Sequence, residues 1–157
     1  MLDELLGGKR FREEVRGLLL QAQDEAAARG AAAVEAEHLL LAMATVPFGS
    51  ASRVLEALHV SHDRVTEALE RERARALAAV GVETRRLPPP RPICDGRWLR
   101  WGQSARSAAE RSTREDHADP QLRMLLGVVR AEVGVIPRLL AELGLTTSDI
   151  EDAVGAQ

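Results

Sequence analysis

Apolar positions in the first half of the chain recur at the spacing of amphipathic α-helices. Between Phe11 and Gly30 they return every three or four residues, which places them on one face of a helix, and Gly30 favours a helix end. Three further helices are predicted from the runs EAEHLLLAMAT, ASRVLEAL and HDRVTEALERERARALAAV. The alternating charges of ERERARALAAV predict a solvated helix face with ion pairs between residues four apart.

The helical pattern is interrupted between residue 82 and about residue 97. Residues 87–92 read LPPPRP, and successive prolines cannot form a helix because they lack N–H donors and force extended geometry. This predicts a semi-rigid connector of polyproline type. The alternative is a proline motif that a partner protein binds. Helical patterning resumes at about Gln103.

An internal repeat links the two halves of the chain. A shift of 85 positions lays GSASRVLEALHVSHDRVTEAL, which starts at Gly49, on GVIPRLLAELGLTTSDIEDAV, which starts at Gly134. The same shift without a gap lays Leu40 on Leu125. Units of this size bury little area alone, so we expect the two copies to pack as one pseudo-symmetric domain.

Composition narrows the class of protein. The chain has 157 residues, a formal net charge of -3 and 3% aromatic residues, which disfavours a general nucleic-acid binder. Cys94 is the only cysteine, so an internal disulfide and a structural cysteine-type zinc site are excluded. No apolar run approaches the ~20 residues of a membrane helix, and no signal-peptide pattern opens the chain. We therefore predict a cytoplasmic protein that binds neither nucleic acid nor a membrane.

Three spaced motifs carry a resemblance to a known family. F-x-x-x-V-x-x-L-L-x-x-A-Q-x-E-A, EHLLLA and G-x-A-x-R-V-L-E-A-L-x-V follow in that order, and together they resemble the amino-terminal domain of the Clp chaperones, the ClpC type in particular. The resemblance implies an all-α fold of two tandem four-helix Clp N-type repeats, packed with pseudo-twofold symmetry as a single domain. Repeat one would cover about residues 8–81, the proline-rich linker about 82–97, and repeat two about 98–156.

The nucleotide-binding motif of full Clp ATPases has no match in this sequence. G-x-x-x-x-G-K-[ST] is absent, and GGKR at residues 7–10 lacks both the Ser/Thr and a preceding strand. We expect a stand-alone Clp N-type domain that is not an enzyme and requires no cofactor. The alternative is an N-terminal fragment of a longer Clp ATPase.

The resemblance points to Glu37 as a ligand-binding residue. In ClpC-type domains the matching acid and its counterpart in repeat two bind phosphoarginine, which is sensible because a carboxylate accepts the forked donors of a guanidinium. Here Ala36 replaces the preceding threonine, and the counterparts in repeat two are Gln121, Leu122 and Arg123. Glu37 is therefore at most half of a recognition pair. The alternative is a first-turn acid that the helix dipole stabilises.

Four other side chains are candidates for binding or structure. Trp98 and Trp101, the only tryptophans, flank the start of repeat two and would either staple a helix to the core or form an apolar recognition patch. The resemblance places Phe11 near the same junction. His38 is interpreted as a core or interface histidine, because no recognised metal-ligand spacing surrounds it. We predict no metal site.

The resemblance implies partners within the Clp protease system. We expect a binding protein that captures substrate peptides, adaptors or cyclic-peptide antibiotics, and so modulates a Clp unfoldase or acts as a decoy for it. A structural or regulatory partner that docks on a Clp ATPase hexamer without a peptide ligand is the alternative. The sequence leaves the ligand and the oligomeric state open.

Overall fold

The structure of the protein, a computed structural model, describes residues 9–45 and 49–157. Within these residues the chain forms eight α-helices, a short 3-10 turn and two two-residue strands. The helices are α1 (Lys9–Ala28), α2 (Ala36–Met43), α3 (Gly49–Ala57), α4 (His62–Ala79), α5 (Gln103–Ser112), α6 (Pro120–Val129), α7 (Val135–Leu143) and α8 (Thr147–Gly155). The 3-10 turn is Thr84–Arg86, and the strands are β1 (Ala33–Val34) and β2 (Arg100–Trp101).

Side-chain caps and glycine set several helix boundaries. Ser61 precedes α4, and its hydroxyl accepts the backbone N–H of Arg64 at 3.2 Å. Thr146 precedes α8 and accepts the N–H of Asp149 at 3.2 Å. Helix α7 ends at Gly144, which has a φ of 72° and so terminates the helix without Cβ strain.

The two halves pack on each other in a reciprocal arrangement. Within each half the first helix packs on the second, α1 on α2 and α5 on α6. Between the halves the third helix of one meets the fourth of the other, since α3 contacts α8 and α4 contacts α7. Helices α2 and α6 also contact each other across the centre. Such reciprocal contacts between the third and fourth helices are what a pseudo-twofold axis produces. They confirm the predicted all-α repeat fold. The repeat boundaries themselves stay a prediction.

Helices α2 and α6 form the centre of the core. Six of their apolar side chains are between 0% and 1% exposed, and these include two pairs that the 85-residue shift superimposes, Leu39 with Met124 and Leu40 with Leu125. Burial of one such Leu or Met contributes roughly 1.5–3 kcal/mol, so the shared apolar run is chiefly a folding signal. The residues are Leu39, Leu40, Leu41 and Met43 in α2, and Met124 and Leu125 in α6.

The proline-rich segment lacks α-helix, as predicted, but it is docked on the first half of the chain. The Ile93 N–H donates to the Ala27 carbonyl at 2.8 Å. The Gln23 side-chain amide donates to the Leu99 carbonyl at 2.9 Å and accepts the Leu99 N–H at 3.0 Å. Strand β2 then pairs in parallel with β1. The strands went unpredicted, because two residues give no periodic signal.

The prediction of a solvated face for the run ERERARALAAV is wrong at Glu72. This side chain on α4 is 8% exposed, and its carboxylate accepts from Arg138 Nε of α7 at 2.6 Å. Arg71 does pair with Glu67 four residues earlier, at 3.7 Å, but it also reaches Glu142 on α7 at 3.4 Å. The charges of α4 therefore bind the two halves together, which one helix considered alone does not reveal.

Candidate functional site

A groove of about 940 Å³ lies where the two halves and the linker meet. The N-terminus of α2 forms its floor, α4 forms one side, and α7 and the proline-rich segment complete the wall. The lining divides into an acidic end and an apolar side. The acids are Glu35, Glu37, Glu70 and Glu72, and the apolar side includes Ala31, Leu69, Leu77, Leu87, Pro88 and Val135.

Hydrogen bonds with the second half of the chain fix the N-terminus of α2. The Glu35 carboxylate accepts the backbone N–H of Ser104 at 3.0 Å and also its hydroxyl proton, at the first turn of α5. The Ser104 oxygen in turn accepts the Ala36 N–H at 2.9 Å. Gly102 leaves the required space, since a Cβ there would lie 1.8 Å from Glu35 Oε1. The floor of the groove is therefore held rigidly against α5.

Glu37 projects from this floor into the groove and is half-buried. Burial raises the pKa of its carboxyl above the ordinary value; a hydrogen bond from its own backbone amide opposes this, and the charges of Glu35 and Glu72 raise it further. Among the described residues, no Lys, Arg or His lies within ion-pair distance of this carboxylate. The site thus holds an acid whose ionised form lacks a cationic partner.

Four arginines line the groove, and two of them, Arg29 and Arg138, are engaged by other carboxylates. Arg29 forms an ion pair with the Glu25 carboxylate and donates to Thr66 Oγ1 at 3.0 Å. Arg138 is held by Glu72. Arg73 and Arg100 also line the groove, but within the described residues neither lies within ion-pair distance of Glu37, so this carboxylate is left without a cationic partner. Neither Glu72 nor Arg138 was predicted from the sequence as a residue of the site. The only sequence signal was that the 85-residue shift aligns Arg53 with Arg138.

His38 is a buried structural residue, as predicted. Its side chain is 5% exposed, and its Nδ1 accepts the Glu35 N–H at 2.9 Å. Burial and the charge of Arg29 lower the pKa of His38 to about 4, against the opposing effect of Glu35 and Glu25. The ring is therefore neutral at pH 7 and carries its proton on Nε2. No group of three or more metal-ligating side chains occurs in residues 9–45 and 49–157.

The two tryptophans occupy different environments, and neither lines the groove with Glu37. Trp101 is half-buried, belongs to β2 and packs against the core. Trp98 is 69% exposed. Trp101 thus contributes to packing and Trp98 does not, while a ligand-binding role of either tryptophan stays a prediction. The side chain of Phe11 lies outside the part of the chain that the structure describes.

The pseudo-symmetric counterpart of the Glu37 position is filled by protein. Leu122 is 2% exposed and belongs to the core. Gln121 packs against Gly49, where a Cβ would lie 2.5 Å from its Oε1. The Asp119 carboxylate accepts the N–H groups of Gln121 at 2.8 Å and Leu122 at 3.3 Å. The N-terminus of α6 is thus satisfied by a side chain of the protein itself.

Two sets of four helices that pack with pseudo-twofold symmetry, with an open groove where they meet, define a tandem helical-repeat domain. The family described as "Clp repeat (R) N-terminal domain" matches residues 10–90, about half of the chain, and the protein belongs to this family. Its relatives include "ATP-dependent Clp protease ATP-binding subunit ClpC" of Staphylococcus aureus strains USA300 and NCTC 8325. Each is 28% identical over 136 residues, which is 87% of this chain and 15% of the relative.

The chain thus spans about 15% of the length of the curated relatives it matches. Within the described residues, no helix has both the length and the apolar character needed to cross a membrane.

Proposed function

We propose that this protein is a non-enzymatic binding domain of the Clp system, whose groove receives a cationic side chain of a peptide or adaptor at Glu37. The observation that carries the proposal is the half-buried Glu37 carboxylate, which faces the groove and has no cationic partner among the described residues. A guanidinium in the groove would stabilise the ionised form of Glu37, because its forked donors match the two carboxylate oxygens.

The dimensions of the groove suit a short peptide better than a single side chain. Its volume of about 940 Å³ lies at the upper end of the range of ordinary ligand clefts. One arginine would occupy only the acidic end. The apolar side, with Leu69, Leu77 and Pro88, would then contact the aliphatic stem and the neighbouring residues of the ligand. An apolar cyclic-peptide antibiotic with a cationic group would meet the same requirements.

The biological consequence would be competition for ligands. A peptide or adaptor held in this groove is withheld from a Clp unfoldase, so the effect scales with the concentration and affinity of this protein. Such a decoy or modulator requires neither ATP hydrolysis nor a cofactor. It would act in the cytoplasm, where Clp substrates are presented.

Calorimetric titration with matched peptides tests the proposal. The probe is a short capped peptide with one arginine between leucine and proline, and its control carries citrulline, which keeps the shape and loses the charge. We expect saturable binding of the arginine peptide, about tenfold weaker binding of the citrulline peptide, and a similar loss in Glu37→Gln. Glu110→Gln, an exposed acid on α5, is the matched control and should bind normally.

A third peptide, with phosphoarginine, separates two ligand chemistries. Tighter binding of the phosphorylated form would show that the groove also recognises the phosphate. Equal affinity of the wild type and Glu37→Gln for the arginine peptide would contradict the assignment of Glu37. An absence of binding by all three peptides would contradict the proposed function itself.

A further inference from the structure

The segment between α4 and α5 concentrates positive charge in an acidic protein. Residues 84–106 contain six arginines and a single acid, Asp95. The whole chain has 21 basic and 24 acidic residues, so the rest of it carries eight more acids than bases. We name residues 87–101 the arginine strap. Leu87 and Arg100 of the strap also line the groove at Glu37, whereas Arg91, Arg97 and Trp98 lie outside its lining and call for a separate explanation.

The arginine strap is fixed in place by hydrogen bonds to α1. Ile93 is bonded to Ala27, and both backbone groups of Leu99 are bonded to the Gln23 side chain. Gly30 allows the closest approach, since a Cβ there would lie 2.4 Å from the Arg91 carbonyl oxygen. An extended segment held in this way loses little additional freedom when a partner binds to it.

Trp98 is presented on the outer side of this fixed segment. Its neighbour Leu99 is 7% exposed and packs into the core, whereas Trp98 is 69% exposed. Adjacent side chains of an extended segment point to opposite sides, so the anchoring of Leu99 holds Trp98 outward. Leu20, 41% exposed, lies one helical turn from Gln23 on α1. An exposed, pre-positioned tryptophan is typical of a binding anchor.

Exposed arginines surround Trp98 along the chain. Arg91, Arg100 and Arg106 have no carboxylate within ion-pair distance among the described residues. Arg97 has one weak partner, Asp95, at 3.4 Å, and both side chains are more than half exposed. The Arg97 pair contributes little because solvent screens it. The cations of the arginine strap are therefore available to an acidic surface.

We propose that the arginine strap is the docking site for an acidic segment of a partner protein, which places an apolar side chain on Trp98. Unpaired arginines would steer and orient the acidic segment, and the fixed indole would supply the buried contact. A nucleic acid is disfavoured, because stacking of successive bases needs several exposed aromatic rings. Trp101, the other indole of the strap, is half-buried and packs against the core.

The experiment follows the fluorescence of Trp98 in the full chain with Trp101→Phe as background. The probe is a synthetic amphipathic helix with glutamates on one face and leucines on the other. We expect saturable binding with a blue shift of the emission. Affinity should fall as sodium chloride rises from about 50 mM to about 300 mM, because the added ions screen exposed charges.

Two variants measured by calorimetry separate the anchor from the charges. Trp98→Ala should weaken binding by about tenfold or more, since anchors dominate interface energy. Arg91→Gln with Arg97→Gln should weaken it about threefold to tenfold at low salt. The control pair, Arg53→Gln with Arg114→Gln, removes the same charge from exposed positions outside the strap and should change affinity less than about twofold.

Three outcomes would overturn the proposal. The first is an absence of saturable binding of the acidic helix. The second is equal affinity of the wild type and both strap variants. The third is tighter binding of a single-stranded oligonucleotide than of the acidic helix, which would assign the surface to nucleic acid. Because the Glu37→Gln variant should bind the acidic helix normally, failure here and failure of the proposed function are distinguishable.

Discussion

Replacement of Arg138 by alanine should destabilise the protein by about 2 kcal/mol. The Glu72 carboxylate is 8% exposed, and Arg138 Nε lies 2.6 Å from it across the interface between the two halves. Loss of one partner from a fully buried pair costs about 3–5 kcal/mol, whereas a fully exposed pair is worth about 0.2–1 kcal/mol. The Arg138 side chain is 58% exposed, so solvent screens part of the attraction. The expected cost lies between these limits.

Urea denaturation of single and double variants measures this contribution. A loss of about 2 kcal/mol corresponds to a melting temperature lower by about 4–8 °C for a chain of this length. Glu72→Gln with Arg138→Ala should cost less than the sum of the single changes, with a coupling of about 1 kcal/mol or more. Arg75→Ala is the matched control, because its ion pair with Glu142 leaves it 78% exposed and its loss should cost at most about 1 kcal/mol.

A cost of Arg138→Ala no greater than that of Arg75→Ala would show that the Glu72–Arg138 ion pair stabilises the protein no more than an exposed one. A coupling of zero in the double variant would show that groups other than Arg138 stabilise Glu72, and would equally refute the prediction.

Three further predictions follow from the geometry of the groove and its counterpart. Glu37→Gln should raise the stability of the folded protein at pH 7, because folding raises the pKa of Glu37 and the ionised carboxyl therefore costs stability. Thermal melting followed across pH should show this gain disappear below pH 4.5, the ordinary pKa of the carboxyl, where it is protonated in both states. Calorimetry should show one arginine peptide bound per chain, since Leu122 fills the counterpart of the Glu37 position. Leu122→Ala should lower the free energy of unfolding by about 2–5 kcal/mol without creating a second binding site. Gly102→Ala should lower stability by about 1–3 kcal/mol, because its Cβ would displace the Glu35 carboxylate from the first turn of α5; an unchanged denaturation midpoint would contradict that close packing.

Local patterns were sufficient to predict the helices and the packing of the two copies against each other. The apolar run at Leu39 identifies α2, and its repetition 85 residues later identifies α6. Because an isolated four-helix unit buries too little surface, repetition also implied packing of the two copies. The burial of His38 followed from its position beside three leucines.

Contacts between distant parts of the chain were beyond sequence reasoning. Glu72 lies in a run of alternating charges, where nothing local distinguishes a buried acid from its exposed neighbours. The docking of the linker depends on Gln23 of α1, whose side-chain amide forms hydrogen bonds with both the N–H and the carbonyl of Leu99. Glu37 was identified through family resemblance, but the groove around it exists only because α4, α7 and the linker converge there.

The central claim, that Glu37 receives a cation in the groove, is tested most directly by the titration of its own carboxyl carbon. Carbon-13 NMR of the glutamate carboxyl groups, assigned through Glu37→Gln, gives the pKa of this residue with and without the arginine peptide. In the free protein, burial should hold the pKa above the ordinary value of 4.5. A bound guanidinium stabilises the ionised form, so the peptide should lower that pKa while the citrulline peptide leaves it unchanged. A Glu37 pKa that is the same with and without saturating arginine peptide would contradict the account.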